Sequence, residues 1–543
     1  MYDVINQPPP LEPYDLFRGD KVLRDGVARE NAAWAESELA ALGARLGAPD
    51  TIRLGFEANR NPPVLRAFDR YGHRIDEVDF HPAWHELMAI GMDAGLHSSP
   101  WAEPRRGAHV ARAAGCYMMV QVESGTYCPI AMTYGAVPTL RQAQALATEW
   151  LPRIYARDYD RRFRPASEKT SALVGMAMTE IQGGSDLRTN TSRAEPDGAA
   201  GGRIFRLSGH KWFMSAPMCD AFLVLAQTRG GPSCFFVPRF TPDGQRNGIQ
   251  LQRLKDKLGN RSNASSEVEF VAAHAELVGE EGRGIPTIIE MSNHTRLDCA
   301  IGSSGLMRQA VAQAIHHAGH RTAFQKRLVD HALMANVLAD LALESEAATV
   351  LTLRLARAYD EADEAAAVWR RVVTPAAKFW ICKRAPALAA EAMEVLGGSG
   401  YIEDCVLPRI FRELPVNSIW EGSGNVMCLD VLRALDRMPG AAALLLAELA
   451  PGAAADRRLR ELVARIERRI ADRAARDEAQ ARAFTRDLIL ALQAALLLRS
   501  APTPVADAFC ASRLSGEAAG AFGMLPSGAL LQAIIARAAP TTS

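Results

Sequence analysis

One carboxylate in the chain has the surroundings expected of a proton acceptor. Glu421 lies in the stretch Ser418–Asn425, between Trp420 and two glycines. A carboxylate removed from water tends towards a raised pKa, and it can take a proton from a substrate that lies within hydrogen-bond reach. This stretch therefore predicts a general base, Glu421, beside a bulky indole.

A second stretch combines hydroxyl groups with adjacent glycines. Met178–Asp186 contains Thr179 and Ser185 around the pair Gly183-Gly184. Adjacent glycines let a bulky group approach the backbone, and the hydroxyls can hold a ring edge or a pyrophosphate oxygen. Taken alone, this pattern is more often typical of a plain turn.

Two further stretches each allow a structural and a ligand-binding interpretation. Lys211–Ser215 brings together an indole, a phenyl ring and a hydroxyl, which is usually core packing at the end of a strand. Met393–Tyr401 is a helical run that stops at three glycines. It is either a simple helix C-cap or bare backbone beside a ligand.

The elements that must position these residues are mainly helical, with one β domain. Apolar residues recur at helical spacing before and after a central block of short β-branched and aromatic runs, and Leu338–Leu355 is free of Pro and Gly. Pro-Gly pairs at Pro439 and Pro451 predict a hinge region before a further helical module. We expect four domains, at residues 1–182, 183–286, 287–438 and 439–543.

Composition limits the classes of partner. Lys and Arg together number 62, as do Asp and Glu, so the net charge is zero and any nucleic-acid surface must be local. Nine scattered cysteines without a CxxC pair argue against a disulfide framework and for a reducing compartment. Met1–Phe17 lacks the pattern of a signal peptide, and the longest late apolar stretch, Leu488–Leu498, contains Gln493. We therefore expect a cytoplasmic protein without a membrane span.

No metal site is predicted. His81 and His85 have the spacing of a helical zinc pair, but the chain has no HExxH pattern. Packing or capping is the expected role of these two histidines.

In this order and at these separations, the four stretches resemble those of the acyl-CoA dehydrogenase family, as do Lys257–Ser262 and Arg321–Phe324. The resemblance implies a helical domain, a β-barrel and a four-helix bundle, with FAD between the last two and a homotetramer as the assembly. The residues after position 438 add a C-terminal helical module. Glu421 falls where much of the family keeps the base that removes the α-proton of an acyl-CoA while the β-hydride passes to the flavin.

The resemblance also implies the cofactor-binding residues. Thr179 and Ser185 would contact FAD, and Trp212, Phe213 and Ser215 would line the flavin ring. Arg321 and Phe324 would reach the FAD of a neighbouring subunit, and the Gly397–Gly400 turn and the Ile419–Leu429 segment would complete the cofactor site. The full set is Met178, Thr179, Gly184, Ser185, Trp212, Phe213, Ser215, Arg321, Phe324, Gly397, Gly398, Ile419, Trp420, Glu421, Gly422, Ser423, Gly424 and Asn425.

Three departures from the family pattern leave FAD binding as the expectation but argue against ordinary acyl-CoA turnover. Gln325 stands where Gly is usual, Glu394 where Gln is usual, and Trp420 where tyrosine is more common. The stretches Gly175–Glu180, Pro238–Asn247 and others resemble one branch, the AidB-like alkylation-response proteins. This resemblance implies an FAD-containing protein that binds duplex DNA and protects it in the adaptive response to alkylation damage.

The C-terminal module carries a charge that suits this partner. Residues 433–543 contain 15 arginines and no lysine against 11 acids, a net charge of +4. A predicted helix over Asp456–Arg482 places four of the arginines on one face, where planar guanidinium groups can follow phosphates. The alternative is that they pair with acids on a solvated surface. The predicted DNA contacts are Arg433, Arg437, Arg458, Arg465, Arg469 and Arg476.

Two other functions remain open from the sequence. The chain could be a genuine dehydrogenase of short or branched acyl-CoA that uses Glu421 as base, or a non-catalytic flavin scaffold that recruits a protein partner. Vigorous thioester oxidation that depends on Glu421 would favour the first, and a yellow protein with neither activity nor DNA affinity the second.

Overall fold

A computed structural model describes residues 3–198, 202–472, 477–514 and 520–541. The chain forms two compact units. The first comprises Met1–Pro49, Arg105–Val122 and Arg296–Ser543, and the second comprises Asp50–Pro104 and Glu123–Thr295. The predicted division into four domains stays a prediction.

The helices are α1 (Lys21–Arg29), α2 (Glu36–Leu46), α3 (Pro49–Arg60), α4 (Pro82–Asp93), α5 (Ser99–Ala102), α6 (Ala108–Val122), α7 (Tyr127–Leu140), α8 (Gln144–Tyr155), α9 (Gly284–His320), α10 (Ala332–Arg357), α11 (Glu364–Val368), α12 (Thr374–Leu396), α13 (Gly398–Tyr401), α14 (Leu407–Asn417), α15 (Gly424–Arg437), α16 (Ala441–Ala455), α17 (Arg457–Ala471), α18 (Ala481–Ser500), α19 (Thr503–Arg513) and α20 (Leu531–Ala538). The strands are β1 (Val64–Phe68), β2 (Arg74–Asp79), β3 (Val174–Ala177), β4 (Arg193–Pro196), β5 (Ile204–Ser215), β6 (Ala221–Thr228), β7 (Gly231–Pro238), β8 (Ile249–Leu254), β9 (Ser265–Val278), β10 (Thr322–Ala323) and β11 (Lys326–Arg327).

The second unit is built around a closed β-barrel. Strand β6 pairs with β7 as well as with β4, which closes the order β6-β4-β5-β9-β7 into a ring. Strand β3 joins this ring at β6, and β8 joins it at β9. Closure satisfies strand edges that would otherwise be open to pairing with other chains.

The first unit is a helical bundle in which α10 is central. From Leu338 to Ala356 every residue of α10 is buried, so this helix is covered on all sides. It packs against α6, α12, α18 and α20, and α12 packs against α14 and α15. The predicted architecture, mainly helical with a central β-barrel and a helical C-terminal region, is confirmed.

Two local predictions are corrected by the structure. The N-terminal segment contains a β-hairpin, β1–β2, whose short strands carry no strong apolar alternation in the sequence. The helix predicted over Asp456–Arg482 is α17, which ends at Ala471; Asp472 has extended backbone, and α18 begins at Ala481. Because apolar residues keep helical spacing before and after Asp472, the sequence contained no signal for the end of α17.

The nine cysteines are free thiols. Within the described ranges, no group of three or more His, Cys, Asp or Glu side chains is arranged to hold a metal ion. In the same ranges no single helix is long and apolar enough to cross a membrane; α15 and α16 pass that test only as a pair bent by 106°.

Candidate cofactor and catalytic site

In the second unit, the loop after β3 carries the hydroxyl and glycine pattern. The carbonyl of Thr179 accepts a hydrogen bond from the backbone N–H of Trp212 at 2.9 Å, so the loop lies beside the end of β5. A Cβ added at Gly184 would meet Thr179 Oγ1 at 2.4 Å, which explains why this position needs glycine. Gly184 and Ser185 are exposed, and Thr179 is half-buried.

A buried ion pair anchors this loop. Glu180 and Lys211 have fully buried side chains whose Oε1 and Nζ atoms lie 2.7 Å apart. Burial opposes the charged carboxylate, but Lys211 and the donors of Thr191 and Ser192 hold the pKa of Glu180 well below its usual range. Burial lowers the pKa of Lys211 to about 8 even though Glu180 favours its charge. The pair ties the loop directly to β5.

The aromatic residues of β5 lie at a bulge. The register between β5 and β9 shifts between Lys211 and Met214, which frees Trp212 and Phe213 from regular pairing. Lys255 Nζ lies 3.6 Å from the centroid of the Trp212 ring and 4.7 Å from that of Phe213. Glu267 holds Lys255 at 2.5 Å.

These residues of the second unit fit a flavin. Phe213 is 50% exposed, so an aromatic face is available for stacking. A Cβ at Gly183 would meet nothing within 4 Å, which leaves room for a bulky group to approach the backbone. The carbonyl of Met178 is taken by Asn190 and Lys211, whereas Ser215 Oγ lies 3.2 Å from Ser265 Oγ. The Met178 carbonyl and the Ser215 hydroxyl thus have hydrogen-bond partners within the protein.

In the first unit, Glu421 lies in the turn between α14 and α15. Its φ of +59° is in the left-handed region, where residues other than glycine are uncommon. Arg296 Nε donates to the Glu421 carbonyl at 3.0 Å, and Lys378 Nζ donates to the carbonyls of Trp420, at 2.6 Å, and Gly422. Two cations therefore hold three consecutive carbonyls and fix the turn.

The indole beside Glu421 is tied into the bundle by a line of polar groups. Trp420 Nε1 donates to Asn417 Oδ1 at 3.1 Å, and Asn417 Nδ2 donates to Ser303 Oγ at 3.1 Å. Ser303 Oγ donates in turn to Cys382 Sγ at 3.3 Å. The orientation of the indole is thus set by buried partners rather than by the surface.

The start of α15 completes this part of the first unit. Ser423 occupies the N-cap position without a side-chain capping bond, and Gly424 is buried. Asn425 Oδ1 accepts a hydrogen bond from Arg482 Nε of α18 at 2.8 Å. Ile419 is 65% exposed. The C-terminal helices therefore contact the predicted cofactor segment directly.

The glycine turn after α12 and the hairpin β10–β11 carry the other predicted cofactor residues. Gly397 and Gly398 are exposed, and a Cβ on either would meet nothing within 4 Å. Phe324 and Gln325 form the hairpin turn with φ values of +48° and +65°, the conformation for which glycine is usual. Arg321 Nη1 donates to the carbonyl of Asn6 at 2.5 Å, and Phe324 is 92% exposed.

Glu394, which stands where the family usually has glutamine, has an exposed side chain. An exposed carboxylate keeps its hydration, so its presence in place of glutamine carries no desolvation penalty. This departure from the family pattern therefore does not argue against cofactor binding.

The arginines predicted to contact DNA differ in their surroundings. Arg458 pairs with Asp456 and Asp507, whereas Arg465 and Arg469 both contact the buried Asp487, at 3.7 and 3.1 Å. Pairing with acids, the alternative left open by the sequence, thus applies to these three. Asp487 is shared with a third arginine, Arg486, so the cluster keeps an excess of positive charge. Arg433 and Arg437 are exposed, and Arg476 lies outside the described residues.

Sequence reasoning missed the charged residues that support the site. Lys211 is in a quoted motif, but its partner Glu180 is 31 residues away in the chain. Lys378 and Arg296 are single cations within helices, a pattern that also fits an exposed helix face. A lysine among apolar neighbours in the middle of α12 was the available signal.

The three segments of the chain match known families. Residues 6–161 match the adaptive response protein AidB N-terminal domain, residues 175–273 the acyl-CoA dehydrogenase middle domain, and residues 282–435 the acyl-CoA dehydrogenase C-terminal domain. The chain belongs to the acyl-CoA dehydrogenase family, whose members are FAD-dependent flavoproteins.

Within that family the predicted resemblance to the AidB-like branch is confirmed. The chain is 49% identical to AidB of Escherichia coli (strain K12) over 514 residues, which is 94% of each chain. It is 31% identical to acyl-CoA dehydrogenase family member 11 of Caenorhabditis elegans over 76% of this chain and 69% of that protein.

Two solved structures share the fold over most of the chain. The apo form of Bd2924 aligns with a TM-score of 0.83 and 29% identity, covering 92% of this chain and 100% of that one. ACDH-11 of Caenorhabditis elegans in complex with C11-CoA aligns with a TM-score of 0.85 and 26% identity, covering 95% and 94%.

Proposed function

We propose that this protein is an FAD-containing, DNA-binding protein that protects DNA in the adaptive response to alkylation damage, with at most weak acyl-CoA dehydrogenase activity. The observation that carries the proposal is the 49% identity to AidB of Escherichia coli over 94% of both chains. That span includes residues beyond the three matched family segments, which end at residue 435.

The flavin part of the proposal is supported by the residues of the second unit. Thr179 and Ser185 supply hydroxyl donors, Trp212 and Phe213 supply aromatic faces, and the glycines leave the backbone accessible. For the first unit, the assignment of Gly397, Gly398 and the turn at Glu421 to the same cofactor rests on the family resemblance. When bound, FAD would supply a hydride acceptor, and the protein would supply orientation and the base.

The DNA part is supported by the charge of the C-terminal helices. Arg465, Arg469 and Arg486 surround one buried carboxylate, Asp487, and Arg465 and Arg486 remain 44% and 48% exposed. Because three guanidinium groups share one carboxylate, the cluster keeps positive charge that can still bind phosphate oxygens. Because no base-reading motif is present in the sequence, we expect phosphate contacts with little sequence preference.

A single preparation tests both parts. The visible spectrum of the purified full chain reports the flavin, and a titration of the same sample with duplex DNA at several salt concentrations reports phosphate contacts. We expect a yellow protein whose affinity falls steeply with salt. A colourless chain that takes up no added FAD, or an affinity for duplex DNA independent of salt, would contradict the proposal.

A second candidate function is genuine acyl-CoA dehydrogenation. It is favoured by the fixed position of Glu421 and by the similar ACDH-11, which has been solved with C11-CoA. In that reaction the Glu421 carboxylate would take the α-proton of the thioester while Arg296 and Lys378 hold its backbone in place. The bulky indole of Trp420 narrows the space for an acyl chain, which is why weak turnover is the leading expectation.

The assembly and compartment remain part of the proposal. The family resemblance favours a homotetramer in which the exposed tip at Phe324 meets a second copy. Free thiols throughout the chain are compatible with a reducing compartment such as the cytoplasm.

A further inference from the structure

Lys378 is a buried cation with an unusual set of partners. Its side chain is 0% exposed in the interior of α12. Its Nζ donates to the carbonyls of Trp420, at 2.6 Å, and Gly422, the two residues on either side of Glu421. Lys378 forms no ion pair with any carboxylate in the described part of the chain.

A buried ammonium without a carboxylate partner is unfavourable, by several kcal/mol after relaxation of its surroundings. Part of this cost is offset by the end of α14, where the N–H groups of Ile419 and Trp420 both donate to the Val416 carbonyl and the helix dipole is negative. The two short hydrogen bonds offset a further part. The turn that Lys378 holds also carries a carboxylate, Glu421, whose negative charge would offset more of this cost.

The turn itself is held in a conformation that it would not adopt alone. Glu421 has a φ of +59°, and a non-glycine residue persists there only when its surroundings determine the backbone. Lys378 from α12 and Arg296 from α9 supply that constraint through three consecutive carbonyls. Removing either cation would let the turn relax towards an ordinary conformation.

The other charged groups near the turn do not cancel Lys378. Arg296 and Arg371 share Asp430 of α15, and Arg112 of α6 neutralises Asp298 of α9. Arg482 of α18 donates to Asn425 at the start of α15. Cys299 and Cys382 are buried thiols, and burial raises their pKa values. None of these groups forms an ion pair with Lys378, whose hydrogen bonds in the described part of the chain go to the carbonyls on either side of Glu421.

We propose that Lys378 is a positioning residue: it fixes the Trp420–Gly422 turn and, through its charge, keeps the Glu421 carboxylate ionised and ready to accept a proton. The use of that carboxylate as a base rests on the proposed acyl-CoA chemistry. The ionisation of Glu421 does not depend on turnover, so the two ideas can fail separately.

The test follows the protonation of Glu421 directly. Infrared difference spectra of the purified full chain are recorded across pH, and the carboxyl band of Glu421 is assigned by its loss in Glu421→Gln. In Lys378→Met we expect protonation of Glu421 to become at least about 10-fold more favourable, which moves its titration up by about one pH unit. Lys378→Arg, which keeps the charge, should return most of the shift.

Lys383 provides the matched control, since it is an exposed lysine on the same helix. Lys383→Met removes the same charge and should leave the titration of Glu421 within about 0.3 pH units of the original, a difference that corresponds to about twofold. If Lys378→Met does not fold, Arg296→Gln, which frees the Glu421 carbonyl, is expected to move the titration in the same direction. Folded variants of Lys378 or Arg296 with an unmoved titration, or an equal shift in Lys383→Met, would overturn the proposal.

Discussion

Individual charged residues determine the backbone at both predicted halves of the site. Lys211 binds Glu180 under the hydroxyl and glycine loop, whereas Lys378 binds carbonyls beside Glu421. In each case a buried lysine binds a loop that carries predicted site residues. These residues act by position, and their effects should be visible in stability and ionisation as well as in activity.

The first prediction concerns Glu421 itself. If the protein oxidises acyl-CoA, Glu421→Gln should lower kcat by about 100-fold or more, because the amide cannot accept the α-proton. Turnover of an acyl-CoA series by both proteins measures this effect. The flavin absorbance should be retained in the variant, and a variant as active as the original would remove Glu421 from the role of base.

The second prediction concerns the pair Glu180–Lys211. Lys211→Met leaves a buried carboxylate without its partner and should lower the free energy of unfolding by about 3–5 kcal/mol. The double variant with Glu180→Gln should regain a large part of that loss. Urea unfolding measures both effects.

The control for this pair is Arg206→Ala. Arg206 lies on β5, as Lys211 does, and the substitution breaks its more exposed salt bridge to Asp197. Exposed bridges contribute about 0–1 kcal/mol. A loss in Lys211→Met as small as that of the control would contradict the assignment of Lys211 as an anchor.

At the scale of elements, α17 shows how one helix can have two basic faces. The orientation of α17 is set by a buried apolar stripe, which consists of Leu459, Leu462, Val463 and Ile466. In this orientation Arg465 and Arg469 contact Asp487 of α18. Arg457 and Arg468 are exposed on another side. Because three arginines share Asp487, the cluster retains charge that a phosphate backbone can use.

The third prediction is therefore made for this cluster. If the cluster binds duplex DNA as proposed, replacing Arg465 and Arg469 together with Ala should weaken binding to any duplex and lower the slope of log affinity against log salt by about 1.8, as expected for two lost phosphate contacts. The flavin should remain bound. Arg499→Ala, which removes an exposed arginine at the other end of α18, should leave the slope nearly unchanged. An unaltered slope in the double variant would count against this surface.

The fourth prediction concerns pH and α4. Burial, with a smaller contribution from Arg161, lowers the pKa of His85 to about 4, and His85 Nδ1 lies 3.0 Å from the Tyr159 hydroxyl. Since this pKa is below the ordinary value of 6.5, the unfolded chain binds the extra proton more readily. His85 therefore contributes stability above about pH 6.5 that is lost as the pH falls towards 4.

Thermal unfolding between pH 7 and pH 4 checks this effect. The loss of Tm on acidification should be smaller in His85→Gln than in the original protein, because glutamine does not titrate. His73→Gln, at a 78% exposed position, should follow the original curve. Identical curves for His85→Gln and the original would rule out a contribution from His85.

At the scale of the whole molecule, the hairpin β10–β11 is the segment that the family resemblance places at a neighbouring subunit. Asn6 fixes Thr322 by three hydrogen bonds, so the hairpin is held firmly although its tip is fully in solvent. The exposed phenyl ring of Phe324 is unfavourable in water, and covering it with another apolar surface would remove that cost.

The fifth prediction follows from this tip. If the protein is the proposed tetramer, Phe324→Asp should shift it towards smaller species and weaken FAD retention, since the family resemblance places this ring at a neighbouring subunit's cofactor. Sedimentation velocity and the visible spectrum measure the two effects. Tyr71→Asp, at a 70% exposed position on another hairpin, is the control. An unchanged mass and spectrum in Phe324→Asp would exclude the hairpin from assembly.

The sequence alone determined the family and the fold class, and it predicted which segments carry the chemistry. Ordered motifs such as Met178–Asp186 and Ser418–Asn425 are local, and local patterns survive in the sequence whatever the tertiary arrangement. Periodicity likewise predicted α10, because a helix of good formers without Pro or Gly has few alternatives.

The pairing of charges, and the residues that support the predicted site, became clear only from the folded chain. Glu180 meets Lys211, and Trp420 meets Lys378, across separations of 31 and 42 residues, and Asp487 gathers arginines from two helices. Such pairings depend on burial and on the approach of distant elements, and neither is encoded by spacing within one element. The spacing of the arginines in α17 therefore predicts a basic face that could bind phosphates. In the folded chain, Arg465 and Arg469 of that face contact the buried carboxylate of Asp487.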